Sequence, residues 1–108
     1  MKSASESIIS ARGARLAKSW GRLIRGARQA RGFTRAELAE RARVGVQTLV
    51  RMEAGQSGTA LGMWINVFEV LGMLPPLESI TDPITELAGR AALGQRVRRS
   101  KPSEDLDF

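Results

Sequence analysis

The sequence predicts an all-α fold in which five helices surround one core. Its apolar residues recur at intervals of three and four positions, which is typical of amphipathic helices. No alternation with a period of two occurs before residue 80, so no strand is predicted there. Glycine, proline and capping residues stand where the apolar stripes begin and end. A chain of 108 residues is long enough for one domain with a modest core.

The first helix is predicted within residues 9–32, and Gly32 marks its end. Three arginines, Arg22, Arg25 and Arg28, point away from its apolar stripe and are expected to be exposed. The stripe itself consists of Leu16, Trp20, Leu23, Ile24 and Ala27.

A second helix is predicted over residues 35–42 and a third over residues 46–54. Thr34 can cap the second helix, and Glu37 three residues later completes a capping-box pattern. Residues 43–45 leave room only for a tight corner between the two helices. The residues expected on the inner side of this pair are Leu38, Ala39, Ala42, Val44, Leu49 and Met52.

The fourth helix is predicted over residues 60–71, where Gly72 ends it and two following prolines prevent its continuation. The fifth helix begins at Asp82 and Pro83, a cap followed by proline at the first position. It is expected to end near residues 91–93. The apolar face of the fourth helix consists of Leu61, Trp64, Ile65, Phe68 and Leu71.

Residues 1–93 are therefore assigned to the helical domain and residues 94–108 to a basic-then-acidic tail. The tail is expected to be mobile unless something binds it. Its basic cluster either adds phosphate contacts, or its stretch "QRVRR" pairs as a strand with a second copy of the chain. Its acidic end carries Leu106 and Phe108. These side chains either dock on a partner protein or belong to a solubilising disordered segment.

The chain is strongly basic, with a formal net charge of +6 and a pI near 11.3. This balance favours a polyanionic partner, either nucleic acid or an anionic membrane surface. The longest apolar stretch, residues 61–77, is interrupted by polar residues and prolines and is too short to span a bilayer. Residues 1–10 lack the apolar core of a signal peptide, so the protein is expected in the cytoplasm and not at a membrane.

The sequence contains no cysteine and no histidine. Disulfides, thiolate–imidazole metal sites and His- or Cys-based catalysis are thereby excluded. Glu53 has no partner base nearby, so we expect it to bond the backbone or an arginine of the first helix. Trp20 and Trp64 fall on apolar faces, which predicts core packing rather than base stacking. No enzymatic activity, cofactor or metal is predicted.

Two short helices joined by a tight corner are the pattern of a helix-turn-helix, whose second member lies in the major groove of DNA. Glutamine can pair with adenine and arginine with guanine through two hydrogen bonds, and valine can contact a thymine methyl group. Phosphate contacts are predicted at Thr34 and Arg35, where a helix start offers N–H groups to an anion, and at Thr48. The predicted base contacts lie on the free side of the second member, at Val46, Gln47, Val50 and Arg51.

Residues 20–74 resemble the Cro/repressor-type (XRE) family of bacterial and phage DNA-binding domains. The resemblance is carried by "LIRGAR", "FTRAELAERA", "VQTLVRMEAG" and "VFEVLGM". It implies the helix-turn-helix domain of that family, with base contacts at Val46, Gln47 and Arg51. It also implies phosphate contacts at Thr34 and Arg35.

A narrower resemblance, to the HipB-like branch of this family, is carried by "GQSGTALGMWINVFEVLGM", "DPITELAGR" and "RVRRSK". Members of that branch are antitoxins that bind their own operator as dimers and hold HipA-like serine/threonine kinase toxins. The resemblance implies a homodimeric repressor of a palindromic double-stranded operator, acting as the antitoxin of a type II pair. The alternative is a stand-alone dimeric regulator without a toxin. A module that binds only protein is disfavoured, because the face with Gln47 and Arg51 carries no acidic or bulky apolar residues.

The sequence departs from the family pattern around the corner. Arg43 stands where the family usually has glycine with a positive φ, and Gly45 replaces the Ser or Thr cap of the third helix. Thr59 is expected to cap the fourth helix in place of Ala60. The dimer surface is expected after Phe68, at Leu71, Met73, Leu74, Leu77 and Ile80.

Overall fold

The computed structural model describes residues 8–99, with side chains described for residues 8–95. Within this range the chain is helical and contains no strand, which confirms the all-α prediction. The described residues contain one helix more than predicted, because a short helix forms around the two prolines. The described part contains α1 (Ala11–Ala30), α2 (Arg35–Ala42), α3 (Val46–Glu53), α4 (Leu61–Val70), α5 (Leu74–Glu78) and α6 (Pro83–Arg99).

The contacts divide the chain into two compact units, Met1–Leu77 and Glu78–Phe108. The first unit contains the predicted corner and the hydrophobic core. In it, α2 packs against α4 and α3, and α1 packs against α3. The second unit contains α6. The predicted boundary at residue 93 therefore lies inside α6 rather than at the end of a helix.

Local signals place the beginnings of the helices. The side chain of Ser10 accepts a hydrogen bond of 2.9 Å from the backbone N–H of Gly13 and caps α1. The predicted capping box of α2 is present: Thr34 Oγ1 accepts from the N–H of Glu37, and the Thr34 N–H donates to Glu37 Oε1. The prediction that Thr59 caps α4 is wrong, because Ala60 is its N-cap and makes no side-chain hydrogen bond.

Prolines lie in the first turn of both C-terminal helices. In α5 the two prolines occupy the first turn, where a backbone N–H would have no partner within the helix. In α6 the carboxylate of Asp82 accepts from the N–H of Ile84, as expected for a cap. This helix continues through Arg99 instead of ending near residues 91–93, because glutamine and arginine favour helices and Gly94 alone does not stop one. The stretch 95–99 is therefore helical rather than a strand, and residues 100–108 lie outside the described part.

The core of the first unit lies between α1, α2, α3 and α4. Trp20 packs edge-on against Phe68 at 5.4 Å between ring centroids and lies 5.8 Å from Trp64, so both tryptophans pack in the core as predicted. Leu71 is only 1% exposed, so it does not belong to a surface for a second copy. The buried apolar residues are Ile24, Leu38, Ala39, Ala42, Leu49, Met52, Trp64, Val67, Phe68 and Leu71.

Two predicted faces are rotated in the structure. In α1 the buried line runs through Gly21, Ile24 and Arg28, whereas Leu16 is 54% exposed and Leu23 is also exposed. In α4, Val67 is buried while Leu61 is 68% exposed and Ile65 is also exposed. Helical spacing identifies neighbouring apolar rows but does not decide which of them meets another helix.

The rotation of α1 follows from a close backbone approach. A Cβ atom at Gly21 would lie 2.5 Å from the carbonyl oxygen of Met52 and 2.7 Å from that of Glu53. Only glycine lets α1 lie this close to the end of α3. Gly55, with φ +83°, makes the matching approach, since a Cβ there would lie 2.6 Å from the Cα of Lys18.

We expect Gly21→Ala to lower the free energy of unfolding by about 1–3 kcal/mol, because the new methyl group meets backbone atoms that cannot rotate away. Gly26→Ala is the matched control in the same helix, where a Cβ meets nothing within 4 Å. It should raise the free energy by about 0.5–1 kcal/mol through helix propensity. Urea unfolding of both variants measures this. Stabilisation by both substitutions would contradict the close approach.

Candidate nucleic-acid interface

The corner between α2 and α3 has the conformation that the sequence predicted. Arg43 is the C-cap of α2 in the left-handed region, with φ 60° and ψ 39°. The next residue, Val44, donates its N–H to the carbonyl oxygen of Ala39 at 3.0 Å and packs half-buried against the core. Gly45 then caps α3 without a side-chain bond. A non-glycine residue in the left-handed region costs roughly 1–2 kcal/mol.

The two sides of α3 differ sharply in burial. Leu49, Met52 and Glu53 are buried on the inner side. On the outer side Val46 is 43% and Val50 is 38% exposed, and Gln47 and Arg51 are exposed as well. The structure therefore brings all four predicted base-contacting side chains onto one accessible face. Thr48 lies at its edge and is half-buried.

A buried ion pair holds the end of α3. Arg28 Nε lies 2.7 Å from Glu53 Oε2, and Arg28 Nη2 donates to Glu53 Oε1 at 3.2 Å. Arg28 Nη1 also donates to the carbonyl oxygen of Phe33 at 3.0 Å. The prediction that Glu53 bonds an arginine of the first helix is confirmed, and the prediction that Arg28 is exposed is wrong. The signal that was available is the spacing of Gly21, Ile24 and Arg28 along one line of α1.

The same carboxylate also holds Arg35. Arg35 Nε donates to Glu53 Oε1 at 3.0 Å, and the Arg35 side chain remains 43% exposed. Arg35 begins α2, so this bond places the start of α2 beside the C-terminal end of α3. An eight-residue helix is about 12 Å long, comparable with the width of the major groove. With two arginines around one glutamate, the cluster keeps a formal charge of +1.

Thr34 is largely engaged within its own helix start. Its N–H donates to Glu37 Oε1, and its hydroxyl oxygen accepts from the Glu37 N–H. The backbone N–H of Thr34, with its side chain, holds the pKa of Glu37 below the ordinary glutamate value. The capping box is therefore complete at neutral pH, and its contribution is lost only as the pH falls through that lowered pKa.

The corner, the buried inner side of α3 and its accessible outer side define a DNA-binding helix-turn-helix domain. The chain belongs to the helix-turn-helix domain family, whose model matches residues 20–78. This match is consistent with the Cro/repressor-type resemblance and marks the protein as a DNA-binding regulator. No curated protein sequence matches the chain significantly. Within residues 8–99, no helix has the length and apolar character needed to cross a membrane.

We expect Glu53→Ala to lower the free energy of unfolding by about 3–5 kcal/mol, because it leaves the buried Arg28 without its anion. Glu40→Ala, at an exposed position of α2, is the matched control and should change stability by no more than about 0.5 kcal/mol. Urea unfolding compares the two. Equal small effects would show that the ion pair does not hold α1 to α3.

Proposed function

We propose that this protein is a sequence-specific transcriptional repressor that binds a palindromic DNA operator as a homodimer. The observation that carries the proposal is the accessible outer face of α3, with Val46, Gln47, Val50 and Arg51 exposed while the inner residues are buried. None of these four side chains packs in the core cluster. They are therefore available for recognition without loss of the fold.

The chemistry of this face suits direct readout of bases. Gln47 offers a donor and an acceptor that match adenine, and Arg51 offers the paired donors that match guanine. Val46 and Val50 lie beside them and suit thymine methyl groups. Because residues 47 and 51 are one helical turn apart, they face the groove from the same side of α3.

Phosphate contacts at both sides of the groove would fix the orientation of α3. Arg35 suits this role because the bond to Glu53 orients its guanidinium and leaves the terminal nitrogens without a partner in the described structure. Thr34 lies exposed at the start of α2 and is a second candidate, and Thr48 lies at the margin of the outer face. Such contacts position the protein but carry no sequence information directly.

Substitution of the readout residues tests this proposal. Arg51→Ala and Gln47→Ala should each lose about 1–3 kcal/mol of discrimination at one base pair per half-site, with half-sites about 34 Å apart. Arg35→Ala is the contrasting variant: it should weaken binding to all sequences alike and flatten the salt dependence. The measurement is selection from a random duplex library followed by binding titrations.

The decisive comparison is the sequence that each variant selects. If the Arg51→Ala protein recovers the same site as sharply as the unaltered protein, α3 is not the recognition helix. If the unaltered protein selects no site at all, sequence-specific binding fails as a whole.

A finer proposal is that this repressor is the antitoxin of a HipA-like kinase toxin. Its support is the resemblance of residues 55–73, 82–90 and 96–101 to the HipB-like branch. The segment 103–108 adds three acidic side chains with Leu106 and Phe108, which suits docking on a protein better than on DNA. Burial of one such apolar side chain contributes about 1.5–3 kcal/mol.

Deletion of residues 103–108 should leave operator binding within a few-fold of normal and weaken binding to a co-encoded toxin. The tests are DNA titration and co-purification from the native cell. A truncated protein that holds the toxin as tightly as the full chain would show that the tail is not the docking element. If no protein partner co-purifies with the full chain, the stand-alone dimeric regulator is the better function.

A further inference from the structure

Arg43 occupies a backbone conformation that glycine would adopt without strain. Among residues 8–99 it is the only non-glycine residue with a positive φ. The three other positive-φ positions in that range, Gly32, Gly55 and Gly72, are all glycines. An arginine at this point therefore makes the corner less stable than a glycine would.

No contact of the Arg43 side chain within the described part of the protein offsets the strain of its backbone. It is exposed, and in the described part of the chain it makes no hydrogen bond or ion pair. Arg43 and Glu69 line the same shallow groove, yet the guanidinium and the carboxylate do not form an ion pair. Arg41, two residues earlier, is instead engaged, since its guanidinium lies 4.5 Å from the ring centroid of Phe33.

The position of Arg43 places its unpaired guanidinium near the N-terminal end of α3. It lies two residues before Gly45, the cap of α3, whereas the bond between Arg35 and Glu53 places Arg35 beside the other end of α3. The two arginines therefore flank the two ends of the helix assigned to the groove. Each edge of the major groove is a row of phosphates, and a helix of about 12 Å reaches from one edge towards the other.

We propose that Arg43 is a DNA phosphate contact, made at the strand next to the N-terminal end of α3 and opposite the one that Arg35 contacts. The inference rests on the proposed DNA-binding function and deepens it. The contact is electrostatic and independent of sequence, so it adds affinity and orientation rather than specificity. On this proposal, the strained conformation at the corner persists because the side chain of Arg43 contributes to DNA binding.

Arg43→Gly separates this role from a structural one, because the two readouts move in opposite directions. Relief of the left-handed strain should leave Tm unchanged or raise it by up to about 4–8 °C. Loss of one phosphate contact should lower the slope of log K against log salt by about 0.9 and weaken binding about 3- to 10-fold near physiological salt. The probe is a short mixed-sequence duplex, for which base readout plays no part.

Two further variants control for charge. Arg43→Lys keeps the cation and the strain, and it should preserve most of the salt slope. Arg15→Ala removes one exposed positive charge from α1 and should change the slope much less than Arg43→Gly does.

Three results would overturn the inference: an unchanged salt slope in Arg43→Gly, an equal change in Arg15→Ala, or a lower Tm for Arg43→Gly with normal binding. Should Arg43→Gly fail to fold, the arginine is structural and the inference is wrong. If the unaltered protein binds no duplex, the proposed function itself has failed. If it binds and selects a site while Arg43→Gly keeps the full slope, only the role of Arg43 is wrong.

Discussion

The buried ion pair between Arg28 and Glu53 is the interaction on which the arrangement of the other elements depends. One carboxylate at the end of α3 bonds Arg28 of α1 and Arg35 of α2, and thereby joins three helices. A buried pair is a weak source of net stability, because desolvation offsets much of the attraction. The main effect of the pair is to fix the position of α3 relative to α1. Any packing that separates the partners leaves a charge buried without compensation, so alternative positions of α3 are strongly disfavoured.

A close backbone contact acts together with this pair. Gly21 lies against the carbonyl groups of Met52 and Glu53, and this approach brings Arg28, two turns further along α1, within reach of the carboxylate. Leu49 and Met52 fill the rest of the inner side. Because the fold uses only this side of α3, the outer side is free to carry recognition chemistry. Substitutions there leave the buried core unchanged.

Some of the arginines bind groups within the protein, whereas others are exposed and, in the described part of the chain, make no such contact. Arg28 and Arg35 neutralise Glu53, Arg31 donates to the carbonyl oxygens of Ala27 and Leu71, and Arg41 lies over an aromatic ring. The formal charge of +6 therefore overstates how many cations are free for a polyanion. Position and pairing, more than the total charge, distinguish arginines such as Arg43 and Arg51.

The sequence by itself determined the elements whose signals act within one or two turns of chain. The capping box at Thr34, the helix ends before Gly32 and Gly72, and the inner residues of α2 and α3 could all be predicted. The outer face of α3 could be predicted as well, because it consists of the residues that the apolar inner side leaves free. The tertiary structure decided what depends on residues distant in sequence. Which apolar row of α1 and α4 is buried, why Gly21 must be glycine and why Arg28 is buried are set by approaches between helices. The sequence pointed to an arginine of the first helix as a partner of Glu53 but did not identify Arg28, because the two residues are 25 positions apart and no local pattern pairs them.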